Sequence, residues 1–338
     1  MIKIGVIGYG YWGPNLVRNF MEVSDAQVVA VSDLSTKNTD LVARRYPGVK
    51  TCNNAKDLID DPHIDALVIA TPVRTHFELA DAALKAGKHV LIEKPMTETP
   101  DQSRRLIEEA ERRNLTLMVD HTFIYTGAVR KIRELIVGGD LGDIYYHDST
   151  RINLGLFQHD VDVIWDLAVH DLSILNFLID ETPSAVSATG TSHVPNSTEN
   201  VAYISLFFDS GTIAHINVNW LSPVKIRRTV IGGSKKMIVY DDLEPSEKIK
   251  IYDKGITVTD NPEEVYKMLV GYRTGDMWAP KLNSTEALSE VASHFIDCIE
   301  HSKQPITNGR ESLRTVVMAA AATASMKKNG HPVKLGQD

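Results

Sequence analysis

Gly8, Gly10 and Gly13 stand directly behind the apolar run 2–7, and Asp33 follows the next apolar run, 28–31, twenty residues beyond the last glycine. A GxGxxG turn that follows a strand and opens a helix suits a dinucleotide. The first glycine allows the tight turn, the second lets the backbone approach a pyrophosphate, and the third lets the helix pack close to the strand. Tyr11 and Trp12 complete the turn and are expected at the cofactor with the glycines. The helix N-terminus adds free N–H groups and a positive dipole end. Asp33 suits the ribose hydroxyls and would repel a 2′-phosphate, which predicts NAD rather than NADP. The plainer alternative is a strand-to-helix turn that merely needs glycine.

Three further groups carry reactive side chains. Glu93-Lys94-Pro95 follows the apolar run 89–92, and residues just past such a strand lie at the carboxyl edge of the sheet, where ligands bind. A lysine there can donate a hydrogen bond to a substrate hydroxyl and stabilise the alkoxide that develops as hydride leaves the same carbon. A solvated lysine in a turn is the alternative. Ala70-Thr71-Pro72, with His76 behind it, ends another run at the same edge. It can line the cofactor, or be a strand-turn-helix with Pro72 near the helix start. In the helical stretch 161–178, Asp162, Asp166 and His170 recur every four residues and so share one face. His170 can accept a hydroxyl proton near neutral pH, and Asp166 can orient the imidazole or bind a sugar hydroxyl. The bland alternative is a structural histidine paired with Asp166. His159 extends this set to ligand-like spacing, but no recognised zinc motif is present and a dinucleotide supplies redox chemistry without metal, so no metal is expected.

These side chains need a scaffold of a particular kind. Through about residue 122, short apolar runs at 2–7, 28–31, 66–70, 89–92 and 116–119 alternate with amphipathic helical stretches. That is an α/β pattern, a parallel sheet covered on both faces. From 123 to 338 the rhythm changes to an α+β domain. Helical segments at 128–137 and 161–178 precede alternating strands at 201–208 and 212–221, joined by Asp209-Ser210-Gly211, then strands at 225–231 and 248–252. Helical patterns return at 286–300 and 313–327. His215, Asn217 and Asn219 alternate with apolar neighbours, so one sheet face is polar and is either solvated or an oligomer surface.

Composition narrows the function classes. At 338 residues two domains are expected, and 43% hydrophobic content supports substantial cores. A net charge of -8 without a basic run argues against nucleic acid. No charged leader precedes the first strand and no uncharged apolar run reaches membrane-spanning length, so a soluble cytoplasmic protein is expected. Cys52 and Cys298 lie far apart and outside any CxxC, as packing residues would.

Taken together, the glycine fingerprint, Ala70-Thr71-Pro72 with His76, Glu93-Lys94-Pro95 and the helix from Asp166 to His170 resemble the glucose-fructose oxidoreductase / inositol dehydrogenase (Gfo/Idh/MocA) family across essentially the whole chain. The resemblance implies a Rossmann domain (1–122) and a substrate-binding and oligomerisation domain (123–338) with a large, mainly antiparallel open-faced sheet. It implies Lys94 as catalytic lysine, His170 as proton acceptor or donor, Asp166 at the substrate, and Thr71, Pro72, His76, Glu93 and Lys94 along NAD. Arg151-Ile152-Asn153-Leu154-Gly155 and Tyr272 to Asp276 look like the branch associated with nucleotide-sugar and surface-polysaccharide pathways. That branch implies oxidation at C3 of a nucleotide-linked hexose, with Arg151, Asn153 and His159 available to a polar or anionic appendage or else engaged in surface ion pairs. A free monosaccharide or inositol dehydrogenase is the nearest alternative. A non-catalytic NAD- or sugar-sensing regulator is the alternative of another class, which the presence of both Lys94 and His170 disfavours. A homo-oligomer is expected, formed through the second domain's sheet.

Overall fold

The computed structural model describes residues 1–155, 161–195, 197–258, 270–273 and 275–336. The chain divides into two compact units, Met1–Thr126 with Thr285–Val317, and Gly127–Ser284 with Met318–Asp338.

In the first unit, strands β1 (Ile2–Ile7), β2 (Ala26–Ser32), β3 (Lys50–Cys52), β4 (Ala66–Ile69), β5 (His89–Glu93) and β6 (Leu117–Asp120) form one sheet in the order β3-β2-β1-β4-β5-β6. Every neighbouring pair is parallel. The connecting helices are α1 (Gly13–Glu22), α2 (Thr36–Arg45), α3 (Ala55–Ile59), α4 (His76–Lys85) and α5 (Pro100–Arg113). All side chains of β4 and β6 are buried, as in a parallel sheet covered on both faces. From β1 the chain winds outward to β2 and β3, then crosses to β4 on the other side. The strand order therefore reverses between β1 and β4, and the crevice at their carboxyl ends is where such sheets bind ligands. β3 lacks an apolar run and was not expected from the sequence.

The first unit is not one continuous stretch ending near residue 122: its first segment ends at Thr126, and Thr285–Val317 also belong to it. Helix α8 (Ala287–Glu300) returns to it, because the apolar face of α1 needs a cover. Phe20 of α1 meets Phe295 edge-to-face at 6.2 Å. Arg18 forks onto the Glu286 carboxylate at 2.9 and 2.5 Å. The last helix, α9 (Gly309–Met326), contributes its first half to this unit and its second half to the other.

In the second unit, α6 (Gly127–Val137) leads into β7 (Ile144–Leu154), a π-helical turn (Ile164–Ala168) and α7 (Val169–Leu178). Then follow β8 (Ala185–Thr191), β9 (Val201–Phe207), β10 (Ile213–Asn219), β11 (Leu221–Gly233), β12 (Met237–Asp241), β13 (Ile249–Tyr252), β14 (Gly255–Val258), β15 (Val270–Arg273), β16 (Met277–Trp278) and β17 (Val333–Lys334). Nine of these strands form a sheet in the order β16-β13-β12-β11-β7-β10-β9-β8-β17. It is antiparallel except where β10 runs beside β7. Val169, Leu172 and Leu175 of α7 pack with Met318, Ala319 and Ala322 of α9 against Ala202, Ile204, Leu206, Ala214, Ile216 and Val218. The alternation expected along β9 and β10 is therefore real, with one face in the core. Among the described residues no helix is long and apolar enough to cross a membrane.

Candidate active site

The three fingerprint glycines are required for three different reasons. Gly8 has φ +97°, and a Cβ there would lie 2.5 Å from the Ala70 carbonyl oxygen. At Gly13 a Cβ would lie 2.2 Å from the Gly8 carbonyl oxygen, so α1 can approach β1 only without a side chain. Around Gly10 no protein atom comes within 4 Å of a Cβ position. Packing within the protein therefore gives no reason for the second glycine, whereas a pyrophosphate lying against the backbone does. α1 begins without a side-chain cap and with Pro14 in its first turn, so no side chain competes for its amino-terminal N–H groups. Tyr11 and Trp12 flank the turn with their rings edge-to-face at 5.3 Å, and both are exposed.

Asp33 closes the same turn from β2. Its Oδ2 accepts from Tyr9 N at 2.6 Å and its Oδ1 from Ser35 N at 2.8 Å, which fixes the carboxylate while leaving it half-buried. A carboxylate has room for further donors, so ribose hydroxyls remain suitable partners. Leu34 beside it is almost fully exposed and supplies no cation for a 2′-phosphate. The glycine turn, the Asp33 carboxylate and the Ala70-Thr71 segment are thus brought together around the β1–β4 crevice, and they fit a bound NAD.

Lys94 follows β5 and is linked to Pro95 by a cis peptide. Two residues expected along the cofactor have other partners. His76 is buried, with Nε2 2.7 Å from the Thr71 carbonyl oxygen and Nδ1 2.9 Å from that of Pro95. Burial holds its pKa below the ordinary imidazole range. A neutral ring donates to one carbonyl at a time, so His76 ties the loop after β4 to the loop after β5 rather than presenting a nitrogen to a ligand. Glu93 is also buried, with its carboxyl against that of Asp120. Burial first, and the Asp120 charge second, push Glu93 well above the carboxylate range. Thr71 stays partly accessible and Pro72 is exposed at the sheet edge.

In the second unit, the helix carrying His170 and Asp166 begins with the π-turn, which Val169 N closes onto the Ile164 carbonyl. Such i→i+5 turns recur at functional sites. Asp162 does not join the other two. Its Oδ1 caps this turn, accepting from Ile164 N at 2.9 Å and Trp165 N at 3.1 Å, and burial raises its pKa to about 6. Asp166 and His170 are both partly accessible, and Asp166 Oδ2 accepts from Trp220 Nε1 at 3.2 Å. A Cβ on Gly155 would touch both the Trp220 ring and Asn153 Nδ2, so Asn153 lies in the same neighbourhood.

Arg151, expected at a substrate appendage or in a surface ion pair, is instead buried. Its Nε donates to Asp171 Oδ2 at 2.6 Å, with side chains only 6% and 4% exposed. Ser149 Oγ donates to Asp171 Oδ1 at 2.5 Å. β7 and α7 are thereby locked together at the residue adjoining His170. His159, and Thr274 within the segment Tyr272 to Asp276, lie outside the described residues.

Two family models match this chain. One, described as an oxidoreductase family with an NAD-binding Rossmann fold, covers residues 2–121, and the Gfo/Idh/MocA C-terminal domain covers 129–239. The chain belongs to the Gfo/Idh/MocA family. It is an NAD-dependent oxidoreductase of the family that includes sugar and inositol dehydrogenases. UDP-N-acetylglucosamine 3-dehydrogenase of Acidithiobacillus ferrooxidans is 28% identical, over 87% of this chain and 90% of that protein. The scyllo-inositol 2-dehydrogenase (NAD(+)) of Bacillus subtilis is 25% identical, over 99% of this chain and 95% of that protein. A crystal structure of an Agrobacterium radiobacter oxidoreductase in complex with NAD+, L-tartaric acid and magnesium shares the fold, with a TM-score of 0.82 at 20% identity over 98% of each chain.

In each unit, several partners of these residues escape sequence reasoning. Asp120 is the last residue of β6, as Glu93 is of β5, and that position was the available signal. Trp220 was legible as core, but a buried indole also needs an acceptor, which Asp166 supplies. Asp171 and Ser149 gave no signal, because β7 has no apolar run to mark it as a strand.

Proposed function

We propose that the protein oxidises, reversibly, a secondary hydroxyl of a sugar, specifically the C3 hydroxyl of a nucleotide-linked hexose. The observation that carries this reading is Lys94 directly behind β5, at the ligand-binding edge of a sheet whose glycine turn fits NAD. Lys94 donates a hydrogen bond to the reacting oxygen and stabilises the alkoxide character that develops there. His170 accepts the hydroxyl proton on its imidazole, and Asp166, held by the Trp220 N–H, binds a neighbouring sugar hydroxyl. NAD, when bound, supplies the hydride acceptor. The nucleotide-linked substrate is supported by the 28% identity to UDP-N-acetylglucosamine 3-dehydrogenase and by Asn153 beside the Asp166–Trp220 pair. The scyllo-inositol 2-dehydrogenase likeness favours a free cyclitol as the second reading. We also propose that the second unit's sheet carries a homo-oligomer contact.

NADH absorbance during incubation with NAD and UDP-hexoses, UDP-N-acetylhexosamines, UDP-uronates, free hexoses and inositols tests the substrate. A nucleotide sugar is expected to give the highest kcat/KM, and preferential turnover of an inositol or free hexose would replace this reading with the second. Lys94→Ala and His170→Asn are each expected to lower kcat by a factor on the order of 10² or more with NAD affinity retained. Near-wild-type turnover in either variant removes that residue from the mechanism.

A further inference from the structure

The ladder between β4 and β5 ends at the pair Ile69–Ile92, and the chain then leaves the sheet in two loops, 70–75 and 94–99. The first carries Thr71 and the second carries Lys94. Beyond the last ladder pair a side chain joins them. His76, the first residue of α4, is 1% exposed, with Nε2 2.7 Å from the Thr71 carbonyl oxygen and Nδ1 2.9 Å from that of Pro95. Each ring nitrogen therefore faces one of the two loops. Each loop is also held at a second point: Thr75 Oγ1 donates to Thr71 Oγ1 at 2.7 Å, and Thr97 Oγ1 lies 2.5 Å from Ser103 Oγ of α5.

A carbonyl oxygen accepts and never donates, so His76 bonds either loop only through a ring N–H. Burial keeps the ring neutral, which leaves it one such N–H. The tautomer with the proton on Nε2 holds Thr71, and the tautomer with the proton on Nδ1 holds Pro95. In either case the opposite nitrogen turns a lone pair toward the other carbonyl and blocks its closer approach. A rigid ring with a nitrogen on each side thus sets the position of both loops at once.

We propose that His76 is a positioning residue with two separable duties: through Thr71 it holds the cofactor segment, and through Pro95 it holds the turn that aims Lys94 at the reacting hydroxyl. The role rests on Thr71 lying along NAD and on Lys94 acting as described under the proposed function. His76 itself touches neither NAD nor substrate. A residue that only fills space would serve the two loops alike, and two substitutions separate the cases. His76→Asn places an amide nitrogen two bonds beyond Cβ, as Nδ1 is, and His76→Gln places one three bonds beyond, as Nε2 is. Both partners are acceptors, so each amide turns its N–H groups toward them. His76→Asn therefore keeps the Pro95 link and loses that to Thr71, and His76→Gln does the reverse.

The test uses the full-length protein. In a fluorescence titration with NAD, His76→Asn should bind about tenfold more weakly and His76→Gln no more than about threefold, the effect of losing one hydrogen bond at Thr71. With NAD saturating and the sugar identified by the substrate panel, the order reverses. His76→Gln should lower kcat about tenfold and His76→Asn no more than about threefold, because only the first releases the Lys94 turn. Variants that lose NAD affinity and kcat alike would reduce His76 to packing and overturn the proposal. Hydrogen exchange read by mass spectrometry needs no turnover: His76→Asn should speed exchange in segment 71–75, and His76→Gln in segment 94–99, each about tenfold. The same pattern in both variants overturns the two duties. Should neither variant fold, the wild-type ring N–H of His76, followed by NMR, decides. With NAD at about ten times its Kd, exchange of that proton should slow about tenfold, since opening the cofactor segment then requires release of NAD. An unchanged rate overturns the coupling. Exchange that divides as expected in a protein that turns over no sugar would strike the substrate assignment and leave both links standing, so the two failures give different results.

Discussion

At Gly8, Gly10 and Gly13 one residue type meets three separate demands, and the difference can be measured. A Cβ at Gly13 collides with a main-chain oxygen of Gly8, whereas one at Gly10 enters space that contains no protein atom. Gly13→Ala is therefore expected to destabilise the fold by about 3 kcal/mol, at the upper end for overpacking, seen as a lower urea midpoint. Gly10→Ala should leave the midpoint unchanged and weaken NAD binding at least tenfold, about 1.4 kcal/mol. Equal stability losses in the two variants would mean that the second glycine serves packing after all. Asp33 belongs to the same scale. With its carboxylate fixed by the Tyr9 and Ser35 N–H groups and no cation at Leu34, NADP should bind at least about tenfold more weakly than NAD. Comparable affinities in a fluorescence titration would remove Asp33 from cofactor selection. The glycines, Asp33 and Lys94 were legible in the sequence because each has a fixed offset from an apolar strand. His76, Glu93 and Arg151 were legible as reactive residues but not as buried ones, since their partners are main-chain carbonyls or acids distant in sequence.

Elements rather than residues explain where His170 comes from. α7 is tied to β7 by the buried Arg151–Asp171 pair and by Ser149, immediately beside His170. Breaking one side of a buried ion pair leaves an uncompensated charge and costs about 3–5 kcal/mol, whereas replacing both partners by apolar groups is often close to neutral. Arg151→Met alone is expected to lose stability on that scale, and Arg151→Met/Asp171→Leu to recover most of it in urea unfolding. Arg151→Met should also lower kcat, because α7 is no longer anchored where it carries His170, the proposed proton acceptor. A single variant as stable as wild type, or a double variant worse than the single, would show that the pair is not what joins the two elements. The strands of the first unit were readable because a covered parallel sheet demands continuous apolar runs. β7 was not, since the inward side chains His147, Ser149 and Arg151 are polar and their alternation looks like a solvated loop. The π-turn was equally hidden, because four-residue spacing cannot distinguish it from an α-helix.

For the whole molecule, the sequence separated the two architectures near residue 122 but could not show that residues 285–317 return to the first unit, since long-range return of a helix leaves no local pattern. The nine-stranded sheet buries one face against α7 and α9, and its other face carries Tyr203, Phe207 and Ile213, 46%, 36% and 46% exposed. Phe207 and Ile213 are direct cross-strand partners, so the exposed apolar surface is contiguous rather than scattered. Tyr203 stacks on His215, which in turn contacts Asp148 at 3.4 Å, placing polar groups beside the apolar pair. A face holding a carboxylate, an imidazole and an apolar patch can pair with its own copy about a twofold axis, where each substitution appears twice. Phe207→Asp/Ile213→Asp would set four carboxylates into such an interface. The expected result is that the wild type sediments as a dimer or larger at micromolar concentration, while the double variant sediments as a monomer that still binds NAD. A monomeric wild type, or a variant with the wild-type sedimentation coefficient, would show that this face is simply solvated.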